Sequence, residues 1–419
     1  MLAGLCRGAL TSSSFCMQRS AGAGSDAEFT YYGLDIEPVD QSGASHYVGG
    51  SLDLSGLPRN APFAGGVFVY LPYEFDGKRP GSGTIFWLVT TLLTIDHRSN
   101  KAIMVHLASG NPDKDAERKR LADRLSAIGR LQVDGAPRTE TIDDDWHADV
   151  SAADYSNSVG KIQDAIARAE ISQAILSIGF SKSTSTTVTQ VFEALRKKRP
   201  SPHVFMIKSD ELSLVGASPA MHLLKRNDTI VIETDAGTRQ IGKTAEETEA
   251  LRNELLNSSK DREEQKMLVD ETFTDLRAIA VDSRVSTPVE LEVRQLGNVM
   301  HLFTVLEAKC PKNLGPIDAI VSCLPAAAVT GRPKKAAMAA IRSVERVKRG
   351  PYGGVVGLVG FDGSVDSAII LRSAWLKDGS ISMRCGGGIT HASVAVDEYN
   401  ECLNKARAIM DSVREAEGA

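Results

Sequence analysis

Two apolar runs near the middle of the chain, His203–Lys208 and Leu212–Ala217, are separated only by Ser209, Asp210 and Glu211. Strands joined this tightly pair antiparallel, because a parallel pair needs a crossover of about a dozen residues or more. Upstream lie a strand pattern at Ala174–Phe180 and a helical pattern at Thr186–Lys198, so the order is strand, helix, strand, strand rather than a repeating βαβ unit. Alternating runs between Phe29 and Gly83, such as Gly66–Leu71, extend the β part, as do strand patterns at Thr84–Thr94 and Lys101–Leu107. Helical spacing predicts helices over Asn111–Arg130, Ser158–Ala169, Arg332–Arg349 and Asp397–Glu415, with a Gly-rich strand region, Tyr352–Gly388, between the last two. One long helix is predicted over Thr244–Val281, opened by Thr244 and Glu247 in capping-box form. These patterns predict an α+β fold of antiparallel sheets with helices packed outside.

Composition removes several function classes. Lysine and arginine number 48 against 53 acidic residues, and the net charge of −5 is spread along the chain, which argues against a nucleic-acid partner. The longest apolar runs, such as Thr84–Ile95, are too short to span a bilayer, so no membrane is expected. Six cysteines without a C-x-x-C pair fit neither a zinc site nor a disulfide framework, and with no apolar leader they point to the cytoplasm. Residues 1–28 are small, Ser-rich and weakly basic, so a disordered or processed start is expected there. The acidic run Asp143–Asp145 reads as a solvated loop.

Three features carry chemistry. Asp261 and Glu264 are spaced to share one face of the long helix, and Glu398 and Glu401 do the same on the last helix, with Lys405 one turn on. Two helices that each present a carboxylate pair can hold Mg²⁺, which takes oxygen ligands and keeps positions for substrate oxygens. The third feature is Cys385-Gly386-Gly387-Gly388, ahead of that last helix, where bare backbone can come close to an anion.

From about Tyr155 to the C-terminus, and more weakly from Pro62, the chain resembles the chorismate-utilising enzymes: anthranilate synthase component I, aminodeoxychorismate synthase, isochorismate synthase and salicylate synthase. The matching phrases include Gln173–Ser177, Gly216–Pro219, Ala236–Arg239, Ser259–Glu264 and Val299–Leu302. They continue with Gly331–Lys334, Arg349–Gly354, Ile369–Arg372 and the glycine loop through Lys405. The resemblance implies one α+β unit of two stacked antiparallel sheets flanked by helices, in which 29–150 is the N-terminal part and 151–415 the chorismate-binding region. It implies Mg²⁺ at Glu264 and Glu401, with Asp261 and Glu398 as neighbours. Tyr352, Arg372, Gly386, Gly388, Thr238 and Lys405 match substrate-binding positions, and His301 matches a histidine close to the ring.

Departures from the family pattern bear on mechanism. Members that use water place a lysine where this chain has Gln173, and an amide is no general base at neutral pH. Ammonia needs no deprotonation, so Gln173 favours an ammonia-using, anthranilate or 2-amino-2-deoxyisochorismate synthase-like reaction at C2 of the ring. That in turn implies a separate glutamine amidotransferase subunit or free ammonium. The lysine of the 4-aminating members is Ala236 here. The glutamate that protonates the leaving hydroxyl is Ala220, a commonly found threonine is Ala328, and the histidine after Glu264 is Gln265. Glu233, on a neighbouring strand, is the candidate replacement acid. Val293–Leu302 looks more like the salicylate synthases, which keeps a water-using salicylate or isochorismate synthase-like activity open and suggests specialised metabolism. The two alanines keep open a chorismate-binding protein without turnover.

Overall fold

Short connections between β-branched and aromatic runs give this chain an architecture made by antiparallel pairing. The computed structural model describes residues 13–20, 27–48, 63–77, 83–108, 113–129, 146–198, 201–296 and 299–418. Its strands are β1 (Ser14–Ser20), β2 (Ala27–Pro38), β3 (Gly66–Leu71), β4 (Ile85–Asp96), β5 (Lys101–His106), β6 (His147–Ala148), β7 (Gln173–Ser183), β8 (His203–Lys208) and β9 (Ser213–Ser218). They continue as β10 (Met221–Arg226), β11 (Thr229–Gln240), β12 (Val285–Leu296), β13 (Val299–Lys309), β14 (Gly331–Arg332), β15 (Val355–Gly360), β16 (Val365–Ile369), β17 (Ser373–Lys377) and β18 (Ser380–Ile389). The helices are α1 (Gln41–Val48), α2 (Lys114–Gly129), α3 (Ala152–Ala167), α4 (Val188–Lys198), α5 (Ala245–Asn257), α6 (Ser259–Ile279), α7 (Pro316–Ser322), α8 (Lys334–Val344) and α9 (Ala395–Ala416). None of them is long and apolar enough to cross a membrane.

The ladders form two arms that meet at β4. One runs β12, β13, β11, β10, β16, β15, β3 and the other β2, β1, β8, β9, β17, β18, β7, with every pairing antiparallel. Strands three places apart, such as β1 and β3, would lie about 14 Å from each other in a flat sheet. The rings of Phe15 on β1 and Phe68 on β3 nevertheless stack with centroids 4.2 Å apart. The arms therefore curl over, and one apolar cluster takes Phe15, Phe205 and Leu214 from the first strands of one arm and Phe68, Val356 and Ala368 from the other. Helix α6 packs on β11 and β13, and α9 packs on β18, α3 and α4.

Three expectations are corrected. Residues 14–20 of the chain's start are not free: β1 lies between β2 and β8, with Ser14, Phe15 and Cys16 fully buried, because Phe15 and Met17 supply apolar surface that the arms enclose. Residues 1–12 and 21–26 of that stretch, and the run Asp143–Asp145, lie outside the described residues. The long helix is two helices. Ser258 between α5 and α6 is extended (φ −65°, ψ 112°), and its hydroxyl accepts from the Asp261 N–H at 3.3 Å. Serine competes with the helix backbone in this way and so favours caps over helix interiors. That break sets the direction of Asp261 and Glu264. The helix expected over Arg332–Arg349 also stops early, at Val344, which leaves Arg349 to be used elsewhere.

If β1 belongs to the folded unit, Phe15→Ala should cost about 3–5 kcal/mol, the usual loss for a buried phenylalanine. Urea unfolding measures this, and an unchanged midpoint would return the segment to the unstructured reading.

Candidate functional site

The end of β18 is the floor on which the anchoring residues meet. Gly386, Gly387 and Gly388 stand in register with Ser177, Leu176 and Ile175 of β7, and alternation puts Gly386 and Gly388 on one face and Gly387 on the other. A Cβ on Gly386 would stand 2.5 Å from the Tyr352 hydroxyl, and one on Gly388 would stand 2.5 Å from Gln173 Nε2. On the opposite face, a Cβ on Gly387 would be 3.1 Å from Glu398 Oε2 and 3.8 Å from Glu401 Oε1. The run is glycine because three different side chains lie against its backbone. Gln173 and Tyr352 are both buried.

Tyr352 is held by Arg349, to which sequence reasoning assigned no role. Its guanidinium lies 4.5 Å from the Tyr73 ring centroid and 5.7 Å from that of Tyr352. It donates to Glu345 (2.8 and 2.7 Å) and to the carbonyls of Val329 and Ile175 (2.6 Å each).

The carboxylates come from two helices. Burial pushes the Glu264 pKa up; Lys405 opposes the shift, while Asp261 and Glu401 reinforce it. Burial likewise raises Glu398, against the hydrogen bond from Ser393 Oγ (2.8 Å) and with the help of Glu401. Glu264 on α6 and Glu401 on α9 thus act on each other electrostatically. Among the described residues no three acidic, histidine or cysteine side chains are close enough together to hold a metal on their own. Asp261 Oδ2 is instead taken by Arg239 (3.0 Å), and Glu401 Oε1 by Lys405 (2.7 Å), which also donates to the Gly386 carbonyl (2.9 Å). Two carboxylates from facing helices are still a donor set that suits Mg²⁺, which usually takes one or two carboxylates and fills its remaining positions with water and substrate oxygens. Gly237 is required here as well, since a Cβ there would be 3.0 Å from Asp261 Cβ.

His301 on β13 sits with Nδ1 2.8 Å from the Gly237 carbonyl and 3.2 Å from Thr238 Oγ1. A carbonyl only accepts, so Nδ1 carries a proton that it donates to Gly237. Arg372 adopts a positive φ (45°) between β16 and β17, and its charge acts on both Asp235 and Cys385, the neighbour of Gly386.

Two of the positions that depart from the family meet at one cavity of about 40 Å³. Ala220 and Ala328 both line it, together with Glu233 and Asp235. Gln265 is fully buried and donates from Nε2 to the Thr234 carbonyl and hydroxyl, both at 3.0 Å, which ties α6 to β11. Glu233 reaches the cavity, but its carboxylate pairs with Arg294 (3.1 Å). Asp235 was missed by sequence reasoning, although the alternation of β11 puts it on the same face as Glu233.

Known proteins resemble this chain over most of its length. The family model described as chorismate binding enzyme matches residues 8–411. The chain belongs to that family. Anthranilate synthase component 1 of Thermus thermophilus is 32% identical over 410 residues, covering 94% of this chain and 86% of the relative. The protein of the same name from Bacillus caldotenax is 30% identical over 401 residues, covering 89% and 79%. The crystal structure of anthranilate synthase component I from Streptococcus pneumoniae superposes with a TM-score of 0.76 at 25% identity, covering 94% of this chain and 90% of that one. The menaquinone-specific isochorismate synthase of Escherichia coli shares the fold, with a TM-score of 0.79 at 17% identity over 98% of this chain and 91% of that one. The family match begins inside the stretch once expected to be a free start.

A raised carboxyl pKa in the folded state means that stability is lost as pH rises from the ordinary value of 4.5 through the folded one. Metal-free Glu264→Gln should therefore melt higher than wild type at neutral pH, while losing the further rise that Mg²⁺ gives the wild type. Melting curves across a Mg²⁺ titration test both halves, and an undiminished Mg²⁺ response in the variant would sink the metal assignment.

Proposed function

We propose that the protein is a Mg²⁺-dependent enzyme that acts on chorismate, or a close relative of it, by substitution at ring carbon C2 with ammonia as the nucleophile. The observation that carries this reading is the glycine end of β18, against which Tyr352, Gln173 and the Glu398/Glu401 pair each lie at a different glycine. Such a strand end suits a ligand with two carboxylates lying across its tip, one toward Tyr352 and Arg372 and one toward the acidic helices. Mg²⁺ bound by Glu264 and Glu401 would supply charge neutralisation for the ring carboxylate. His301 would stand at the ring.

Ammonia is favoured by the chemistry of Gln173. Its amide holds no basic lone pair, so it would position a nucleophile but would not deprotonate water. The similarity to anthranilate synthases at 32% and 30% identity supports the same choice. The ammonia would come from a glutamine amidotransferase partner or from free ammonium. The product would be a 2-amino-2-deoxyisochorismate, or anthranilate if pyruvate then leaves. Ala220 and Ala328 favour a second reading, a chorismate-binding protein that does not turn over.

Mass spectrometry of purified protein with chorismate and Mg²⁺, with and without ammonium at mildly alkaline pH, separates these. An amine-bearing product that requires ammonium is expected. A hydroxylated product in both arms would replace the ammonia reading with the water-using one, and unchanged chorismate that is nonetheless bound would favour the silent binder.

A further inference from the structure

We propose that Asp235 is the acid of this site: its carboxyl group donates the proton that the departing C4 hydroxyl needs, in place of an acidic side chain at position 220. The assignment rests on the function proposed above.

The place is set by a fork in the sheet. β10 pairs with β11 only where Leu224, Lys225 and Arg226 meet Val231, Ile230 and Thr229. Toward Ala220 on one strand and Asp235 on the other the two part, and the cavity opens between them. At about 40 Å³ it has room for ordered water or a small polar group of a ligand. Two of its four alanines, Ala220 and Ala328, stand where the family carries a glutamate and a threonine, and leave it without a proton donor at those positions.

Three carboxyl groups line the cavity, and two are committed. Glu233 is held by Arg294 at 3.1 Å, and Asp275 is ion-paired with Lys334. Asp235 is in no ion pair among the described residues. Its backbone is fixed by the neighbouring Thr234, which Gln265 grips through both carbonyl and hydroxyl. It stands opposite Phe303 in the β11–β13 ladder, so its side chain shares a face with Phe303 and with His301 two residues away. The charged groups that act on it are His301 from β13, Arg372 from the turn between β16 and β17, and Glu233 on its own strand. His301 and Arg372 are also the residues expected at the ligand's ring and carboxylate. The one uncommitted carboxyl on the cavity therefore faces the same space as the ligand.

The direction of the Asp235 pKa agrees with this geometry. Burial raises the Asp235 pKa, His301 and Arg372 oppose the shift, and Glu233 adds to it. In the step itself, the Asp235 proton passes to the C4 hydroxyl oxygen as the C4–O bond breaks and water leaves. The ammonia nitrogen bonds to C2, and each ring double bond moves one position toward the vacated carbon. The new C2 ammonium gives up one proton to solvent, and solvent returns one to the Asp235 carboxylate.

Asp235→Asn keeps the shape of the side chain and removes the acid. With chorismate, Mg²⁺ and ammonium, its kcat should fall about 10²–10⁴-fold, the usual worth of a general acid. Chorismate affinity by calorimetry should be little changed, and the fall of kcat/KM at high pH should disappear. The double variant Asp235→Asn with Ala220→Glu should recover turnover, because it returns a carboxyl to the same cavity. Wild-type turnover and an intact high-pH limb in Asp235→Asn would overturn the assignment. Lost chorismate binding with no recovery in the double variant would overturn it too, making Asp235 a structural residue. A wild-type protein that converts no chorismate under any of these conditions fails the proposed function first, and the assignment falls with it.

Discussion

The guanidinium of Arg349 is 2% exposed, and the anchoring half of the site is arranged around it. An unpaired buried cation would cost several kcal/mol, so every donor must find an acceptor in place. Here the acceptors are Glu345 at the end of α8, the Val329 carbonyl and the Ile175 carbonyl on β7. Glu345 in turn accepts from the Ser177 N–H and hydroxyl (2.8 and 2.9 Å). One charge thus fixes a helix end, a loop and a central strand relative to each other. Because the same guanidinium stacks on Tyr352, it also fixes the hydroxyl that lies over Gly386. Shortening α8 by five residues relative to its apparent helical pattern frees Arg349 to do this.

The two halves of the site are built in different ways, and this bears on how each tolerates change. The anchoring half is backbone against side chain, with no slack: any residue larger than glycine at 386 or 388 would meet an oxygen or nitrogen at 2.5 Å. The proton-transfer half is a gap between diverging strands, lined in part by alanines. A gap of that kind can lose one acidic side chain and use another on a different wall without moving the sheet. Substitution at positions 220 and 328 is therefore compatible with an intact anchoring frame.

Much of the fold was legible because its signals are local. Hairpin-length spacing between His203–Lys208 and its partner strand required antiparallel pairing, and the strand and helix types followed from periods of two and of 3.6. What was not legible depended on distant partners. Phe15 looks like part of a nondescript leader until Phe68, far along the chain, supplies the ring that covers it. The break at Ser258 was written in Asn257, Ser258 and Ser259, all cap-forming residues, but helical spacing on both sides masked it.

The candidate site divides in the same way. Sequence identifies which side chains can do chemistry: the carboxylate pairs and the glycine run were visible by their spacing, and Tyr352, Gln173 and His301 through the family resemblance. It does not identify which of them are already committed to one another. Glu233 and Asp235 are equivalent by alternation on β11, and only the reach of Arg294 from β12 takes one carboxylate out of use. Asp261 resembles a metal ligand by spacing, yet Arg239, from the adjacent glycine phrase, pairs with it directly. Gln265, the residue that replaced a histidine, turned out to be an anchor for Thr234 rather than an empty position. Free carboxylates and paired ones have the same letters, and in a site made of acidic groups that difference decides which one can carry a proton.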